Sequence, residues 1–252
     1  MTYATKYQTF ADMKIREVRI IRGARGFPIR NTAANGHTKP TGIFMSRKCG
    51  RAMPWESFDE LHLMWISECD TAVRRFLAQP LRLELYVRNR ANPIIYFPDV
   101  EREFDDGAIE IVEVKKTKEE IDRDPFYAFK IATARKLFRT AQYRFRIMTA
   151  EDHIGIEPRL ANAKTIKLDR FTKLRTVDKL RLQEAIERAG RSLAYGKAIE
   201  VLSRTGNPRD PGARAMLHAA IVQRFASIDL RRPISFDALV TEPNAVRRQM
   251  AA

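Results

Sequence analysis

Two apolar segments separated by a tight turn place the strongest constraint on how this chain folds. The stretch YFPDVEREFDDGAIEIVEVKK, residues 96–116, predicts two strands joined in a hairpin at Asp-Asp-Gly. Asp99 closes the first strand, and Glu113 lies on the second together with Lys115. A carboxylate under a hydrophobic sheet costs several kcal/mol unless a cation or a donor compensates it. These acids are therefore either exposed or arranged around a positive charge.

The hairpin predicts a site for a divalent cation. Period-two alternation puts Glu113 and Lys115 on one face of their strand, and the turn brings Asp99 alongside. Carboxylate oxygens suit Mg²⁺ or Mn²⁺, and such a site serves phosphodiester hydrolysis, with the lysine orienting water and stabilising charge. A helix over PWESFDELHLMWISECD, begun through Pro54, would add Glu60 at the border of the buried surface as a third ligand of the metal. The alternative is a surface hairpin whose acids are simply solvated.

The net charge of the chain points to a polyanionic partner. Its 252 residues carry a formal charge of +15, which favours nucleic acid first and an anionic membrane surface second. No apolar run reaches the roughly 18–20 residues of a membrane span, and the N-terminus lacks the apolar core of a signal peptide. We therefore expect a cytoplasmic protein that binds DNA and no membrane.

Other kinds of reactive site have little support in the sequence. Cys49 and Cys69 are expected to be structural thiols, and the four histidines lack the spacing of a zinc site. The chain has no GxGxxG, no phosphate-binding P-loop and no GxSxG elbow. Any metal should therefore be held by carboxylates.

The order of elements predicts an α/β fold in three parts. Residues 1–50 form a basic arm, with ten Lys or Arg, that is either a poorly ordered solubilising segment or an extended clamp on phosphates. Residues 51–157 read as a helix, three strands, a helix and a strand, which together form a mixed sheet flanked by helices. The three strands are the half-buried QPLRLELYV, entered at Gln79 and Pro80, then residues 93–104 and AIEIVEVK, and Asp124 is the expected N-cap of the second helix. Residues 158–252 read as helices followed by a short β-ribbon, a small winged-helix-like domain.

Basic side chains on and after the second helix, DPFYAFKIATARKLFRTAQ, could follow a DNA backbone. Each phosphate contact releases condensed counterions and makes the affinity depend on salt. The alternative for each is a solvated helix face, and none supports base-specific readout. The candidates are Lys130, Arg135, Lys136, Arg139 and Arg144.

Five segments, in order, resemble a known family. GIFMSRK, WESFDELHLMWISECD, FLAQP, YFPDV and IVEVKK are similar to the N-terminal nuclease domain of TnsA, the endonuclease subunit of heteromeric cut-and-paste transposases. That domain belongs to the restriction-endonuclease-like PD-(D/E)xK group, and the resemblance covers roughly residues 20–160. It implies Glu60 as the helix-borne catalytic acid, with Glu56 as its rival, and Mg²⁺ as the cofactor, for which Mn²⁺ would substitute. It further implies Asp99 and Glu113 as metal ligands and Lys115 as the catalytic lysine.

The resemblance also implies a biological setting. A TnsA-type subunit cuts double-stranded DNA at the 5′ ends of a transposon while a partner transposase of the integrase type cuts the 3′ ends. Its C-terminal part contacts the transposase, an ATP-dependent regulator and DNA. Two alternatives stay open: a stand-alone phage, plasmid or restriction-type nuclease of the same fold, and a non-catalytic basic DNA-binding or assembly protein.

Overall fold

The computed structural model describes residues 14–30, 40–88 and 90–243, and it has a mixed α/β fold. Parts of the predicted basic arm, residues 1–13 and 31–39, lie outside the described residues. The strands are β1 (Ile15–Arg22), β2 (Gly42–Ser46), β3 (Arg51–Trp55), β4 (Val73–Ala78), β5 (Leu81–Val87), β6 (Ile94–Tyr96), β7 (Val100–Phe104), β8 (Ile109–Lys115), β9 (Arg144–Thr149), β10 (Ser192–Ala194), β11 (Ser227–Ile228) and β12 (Leu239–Thr241). The α-helices are α1 (Phe58–Cys69), α2 (Glu119–Asp122), α3 (Pro125–Thr140), α4 (Arg159–Ile166), α5 (Thr176–Arg188), α6 (Tyr195–Leu202) and α7 (Pro211–Val222).

The predicted hairpin is confirmed and forms the centre of a mixed sheet. The sheet has the strand order β4-β7-β8-β9, in which β7 and β8 are antiparallel and β8 and β9 are parallel. Val100 pairs with Val112 and Glu103 with Ile109. Gly107 ends the turn with a φ of 78°, a left-handed conformation that glycine adopts without steric cost.

The strand predicted over residues 93–104 is wrong as a single element. Residues 94–96 form β6, which joins the separate sheet β1-β5-β6, and β7 begins only at Val100. Pro98 lies in the break, and its missing N–H prevents a continuous ladder through this point. The chain therefore changes sheets immediately before Asp99.

The start of the first helix also differs from the prediction. Pro54 lies in β3, and α1 begins at Phe58. Ser57 sets this boundary, because its hydroxyl accepts the backbone N–H of Glu60 at 3.2 Å. The Glu60 carboxylate reaches back to the N–H of Glu56 at 3.0 Å, in the manner of a capping box.

A hydrophobic core supports the hairpin and α3. Leu81, Leu83 and Leu85 alternate along β5 and are fully buried, which confirms the predicted half-buried strand. From α3, Ile131, Ala134 and Phe138 join the same core. The Asp124 side chain caps α3 as predicted, accepting the N–H groups of residues 126 and 127. This packing fixes the first turn of α3 beside the end of β8.

The chain divides into two compact units that alternate along the sequence. Among the described residues, the first unit comprises residues 14–30, 40–44, 53–60, 76–88 and 90–153, and the C-terminal unit comprises residues 45–52, 61–75 and 154–243. The sequence prediction instead divides the chain at residues 50 and 157. The C-terminal unit contains α4 to α7 and the small sheet β10-β12-β11. None of the described helices is long and apolar enough to cross a membrane.

One buried contact explains why residues 45–52 associate with residues 61–75. The ammonium of Lys48 donates to the carbonyls of Ser67, Asp70 and Val73 at 2.6–2.9 Å. Glu68, fully buried, accepts the hydroxyl of Ser46 and two backbone N–H groups. The lysine thus satisfies carbonyls at the C-terminal end of α1, where a cation is electrostatically favoured.

Candidate active site

Backbone hydrogen bonds hold Asp99 between β4 and β8. Its N–H donates to the carbonyl of Val112 at 3.1 Å, and its carbonyl accepts the N–H of Gln79 at 2.8 Å. The side chain of Asp99 extends to β8, where its Oδ2 accepts the N–H of Val114 at 2.7 Å. Within the described part of the chain, Oδ1 has no hydrogen-bond partner. One oxygen is therefore fixed and the other is left for a ligand.

Glu113 is almost completely buried and is bound on both oxygens. Tyr96 donates its hydroxyl to Oε2 at 2.5 Å, while Tyr127 donates to Oε1. Lys115 places its ammonium 2.8 Å from the same Oε1. A carboxylate has about four lone-pair positions, so three donors leave one position, on Oε2. The strand alternation that predicted Glu113 and Lys115 on one face is confirmed by this ion pair.

Burial and mutual repulsion perturb the acids. Burial raises the pKa of Asp99 well above its usual range, and the charges of Glu113 and Glu60 raise it further. Lys115 and the N–H of Val114 oppose this shift without cancelling it. For Lys115 itself, burial alone would lower the pKa, but the carboxylates of Glu113 and Asp99 outweigh burial and raise it. The lysine is therefore charged beside acids that repel each other.

Glu60 joins this electrostatic group from the first turn of α1. Its side chain is buried, and burial raises its pKa to about 7. The charge of Glu56 and, less strongly, that of Glu113 raise this pKa further, while hydrogen bonds from the N–H of Glu56 and the hydroxyl of Ser57 oppose the shift. The carboxylate that the resemblance makes catalytic is thus also the cap of its own helix.

Glu56, the rival to Glu60, points to a different partner. Its carboxylate forms an ion pair with Arg30 at 2.8 Å, and both side chains are partly exposed. Arg30 also lies over the ring of Phe97, 4.6 Å from its centroid, and donates to Oε1 of Gln79 at 3.1 Å. Glu56 is therefore held by this cation, and Glu60 is the acid that interacts with Asp99.

Gln79 was interpreted from the sequence only as the start of a strand, but it contributes to the site. It is completely buried with a φ of 46°, and its main chain binds Asp99 on one side and the N–H of Ile29 on the other. Its Nε2 is buried without a hydrogen-bond partner among the described residues. Gln79 itself adopts a left-handed backbone conformation that non-glycine residues seldom take, and its N–H holds the carbonyl of Asp99.

Of the five predicted DNA-contacting residues, Lys130 lies beside the acids of the site and the other four are exposed. Lys130 is half-buried with its ammonium over the rings of Phe126 and Tyr127, and the charge of Glu113 reaches it. Burial lowers the pKa of Lys130, and Glu113 partly opposes that effect. Arg144 is exposed and lies 3.8 Å from Asp106. The remaining three, Arg135, Lys136 and Arg139, are exposed on α3.

The donor set fits a single hard cation better than a three-carboxylate cage. Among the described residues, no three His, Cys, Asp or Glu side chains are grouped so that they could hold a metal ion. Asp99 Oδ1 and the remaining position on Glu113 Oε2 are nevertheless open, and Mg²⁺ commonly takes one or two carboxylates with waters and substrate phosphates. Burial, followed by the charges of Glu113 and Glu60, raises the pKa of Asp99, and a cation bound here would favour the ionised form of this carboxyl group.

Tyr96 and Tyr127 are the functional residues that sequence reasoning missed. Their role depends on β6 and α3 packing around β8, and aromatic residues at these positions look like ordinary core residues in the sequence. Comparison with known proteins adds no further assignment: no protein-family model matches the chain, and no curated protein matches it significantly. The functional argument therefore depends on the geometry of these side chains.

Proposed function

We propose that the chain is a Mg²⁺-dependent endonuclease that hydrolyses phosphodiester bonds in double-stranded DNA. The observation that carries the proposal is the convergence of Asp99, Glu113 and Lys115 at one end of the β7–β8 hairpin, where the charges of the two acids repel each other. Acids of this kind persist at functional sites because a ligand relieves the repulsion. The net charge of +15 supports a nucleic-acid substrate.

Each residue has a distinct role in this proposal. Asp99 and Glu113 would hold the cation, which would supply Lewis-acid activation of the phosphate and of a water. Lys115, charged and about a quarter exposed, would contact the scissile phosphate and stabilise its developing charge. Tyr96 and Tyr127 hold Glu113 in one orientation. Lys130 would contact an adjacent phosphate, and the exposed residues Arg135, Lys136, Arg139 and Arg144 would extend that contact.

We further propose that the fold and biological role are those of the resembling family. The mixed sheet with α3 would correspond to a restriction-endonuclease-like PD-(D/E)xK core, and the C-terminal helices with β10-β12-β11 to a winged-helix-like domain. The activity would then be TnsA-type cleavage at the 5′ ends of a transposon, with a transposase and an ATP-dependent regulator bound through the C-terminal part. A stand-alone nuclease of the same fold would instead cut plasmid DNA efficiently without partners.

A non-catalytic DNA-binding protein is the second candidate, and one observation favours it. Glu60 already caps α1, and Glu113 already has three donors, so both acids have structural partners within the protein. Under this hypothesis the open oxygen of Asp99 would have no function, and substitution of Asp99 would change neither DNA binding nor any other DNA-dependent activity of the protein.

Substitution of Asp99 separates the two candidates. Asp99→Asn keeps the shape and removes the charge, so cleavage in Mg²⁺ or Mn²⁺ should fall at least about a hundredfold while DNA affinity stays similar. Asp106→Asn, at the exposed hairpin turn, is the matched control and should cut normally. The assay is nicking and linearisation of supercoiled plasmid, with the candidate transposase partner added in parallel. Equal cleavage by Asp99→Asn and the unsubstituted protein would remove the proposal.

Substitution of Lys115 tests the division of roles. Lys115→Ala should reduce turnover strongly and still bind Mn²⁺ in titration calorimetry, because the ammonium contacts the ligand Glu113 and is not itself a ligand. Loss of Mn²⁺ binding in this variant would instead assign Lys115 to maintaining the site.

A further inference from the structure

The C-terminal unit contains a cavity of about 520 Å³ that is separate from the residues described so far. Its volume is within the range of small-molecule sites, roughly 300–1,000 Å³. Residues from α4, α6, α7 and the segment 234–236 form its wall. Apolar surface comes from Ile199, Pro208 and Ile234. The cavity is therefore a half-open pocket to which several elements of one unit contribute.

The polar lining of the cavity is suited to an anion. Arg209 and Arg214 both line it, with the hydroxyl of Ser235, and no Asp or Glu belongs to its described lining. Arg214 has no carboxylate partner in the part of the chain that the structure describes, and its charge lowers the pKa of the nearby His218. Guanidinium groups bind phosphate through paired N–H donors, so two of them with one hydroxyl can satisfy one phosphate.

A buried chain of hydrogen bonds fixes one wall of the cavity. Asp169 contacts Nδ1 of His218 at 2.6 Å, and Nε2 of His218 contacts the hydroxyl of Tyr195 at 2.6 Å. Burial lowers the pKa of His218, so the imidazole is neutral near pH 7. Because the carboxylate can only accept, Nδ1 carries the proton and Nε2 accepts from Tyr195. The phenol oxygen keeps lone pairs with which to accept a hydrogen bond from a ligand.

An aromatic ring lies at the opening. Phe236 is 48% exposed, and the guanidinium of Arg209 lies 5.8 Å from its ring centroid. The backbone of Phe236 is fixed, since its carbonyl accepts the N–H of Gly196 at 2.8 Å. An exposed, positioned ring beside a cation provides a surface for stacking a nucleobase.

We propose that this cavity binds one nucleotide, with the phosphate on Arg214 and Arg209 and the base against Phe236. The nucleotide is either free or the 5′-phosphorylated end of a DNA strand, since both present the same phosphate and base. The proposal does not rest on phosphodiester cleavage, because none of its residues belongs to the Asp99 site. It assigns a ligand-binding role to the C-terminal unit.

The experiment measures binding by the full chain carrying Asp99→Asn, so that nucleic-acid probes are not cut. Fluorescent dAMP is titrated, and inorganic phosphate and a 12-nucleotide strand with or without a 5′ phosphate are used as competitors. Arg214→Gln should weaken dAMP binding by at least about tenfold, since it removes a charged hydrogen-bonding group. Arg204→Gln, an exposed arginine outside the lining, should leave it unchanged. Phe236→Leu should weaken dAMP binding while leaving inorganic phosphate binding unaffected.

The competitors identify the source of the nucleotide. Displacement of dAMP by the 5′-phosphorylated strand, and not by its unphosphorylated form, assigns the site to strand ends; displacement by neither strand assigns it to free nucleotides. Saturable dAMP binding that Arg214→Gln leaves intact would overturn the proposal, as would no binding at millimolar dAMP. Inorganic phosphate binding as tightly as dAMP would also overturn it, because the base would then contribute nothing.

Discussion

Glu60→Gln should flatten the pH dependence of folding stability in the metal-free protein. Burial raises the pKa of Glu60 from an ordinary value of 4.5 to about 7, so the folded state holds a proton that the unfolded chain releases. The contribution of Glu60 to the free energy of unfolding is therefore most favourable below about pH 4.5, and it falls as the pH rises to about 7. At about 1.4 kcal/mol per pH unit, the difference between 4.5 and about 7 amounts to about 3 kcal/mol.

The glutamine variant isolates this effect because it keeps an oxygen for the helix cap. Its amide oxygen can still accept the N–H of Glu56, whereas its charge no longer changes with pH. We expect Glu60→Gln to be more stable than the unsubstituted protein by about 2–3 kcal/mol at pH 8, and similar to it at pH 5. Urea unfolding in EDTA at the two pH values measures the difference.

Ser57→Ala provides the matched control for helix capping. It removes the hydroxyl that accepts the N–H of Glu60, which should cost about 1 kcal/mol at pH 5. The cost should be larger at pH 8, because the same hydroxyl donates to the ionised Glu60 carboxylate. Loss of the cap therefore steepens the pH dependence of stability, so a flatter pH dependence in Glu60→Gln belongs to titration of the carboxyl group and not to loss of the cap. The reasoning is refuted if Glu60→Gln and the unsubstituted protein lose the same stability between pH 5 and pH 8.

Three further substitutions test the fold and the site. Lys48→Met should lower the free energy of unfolding in urea by about 2–4 kcal/mol, because it leaves the carbonyls of Ser67, Asp70 and Val73 without their charged donor. The control is Lys164→Met at an exposed position, which should lower it by under about 0.5 kcal/mol. Tyr127→Phe should lower cleavage while leaving DNA affinity unchanged in a filter-binding assay, since it removes one of the two donors that hold Oε1 of Glu113; normal cleavage would show that Tyr96 and Lys115 suffice. Gly107→Ala should destabilise by about 1 kcal/mol in thermal unfolding, because its φ of 78° disfavours a side chain; no change would mean that the turn relaxes.

Local patterns in the sequence predicted the elements nearest the site. Alternating residues and the Asp-Asp-Gly turn specified β8 and the hairpin, and Asp124 before Pro125 specified the start of α3. Spacing along one strand was enough to place Glu113 beside Lys115. Each of these features is determined by residues within a few positions of one another. Such local patterns predict the structure correctly because few contacts with distant residues compete with them.

Features that depend on distant segments were not predicted. The pairing of β1 with β5 joins distant residues, from Arg22 with Leu81 to Ile15 with Val87, and no local pattern specifies it. The same holds for Tyr96 and Tyr127, whose hydrogen bonds to Glu113 depend on the packing of separate elements. The start of α1 is different, because the Ser-Phe-Asp-Glu pattern at residue 57 is a capping-box signal that could have corrected the helix predicted from Pro54.

The double use of Glu60 links the stability of the fold to the proposed chemistry. As a cap, the carboxylate stabilises α1 most when it is ionised, since the N–H of Glu56 and the hydroxyl of Ser57 then donate to a full charge. As a neighbour of Asp99 and Glu113, the same charge is repelled. A cation at Asp99 would remove the repulsion and leave the capping contribution. Metal binding and tightening of the first turn of α1 should therefore occur together, which hydrogen exchange of the backbone amides of residues 56–60 can measure with and without Mn²⁺.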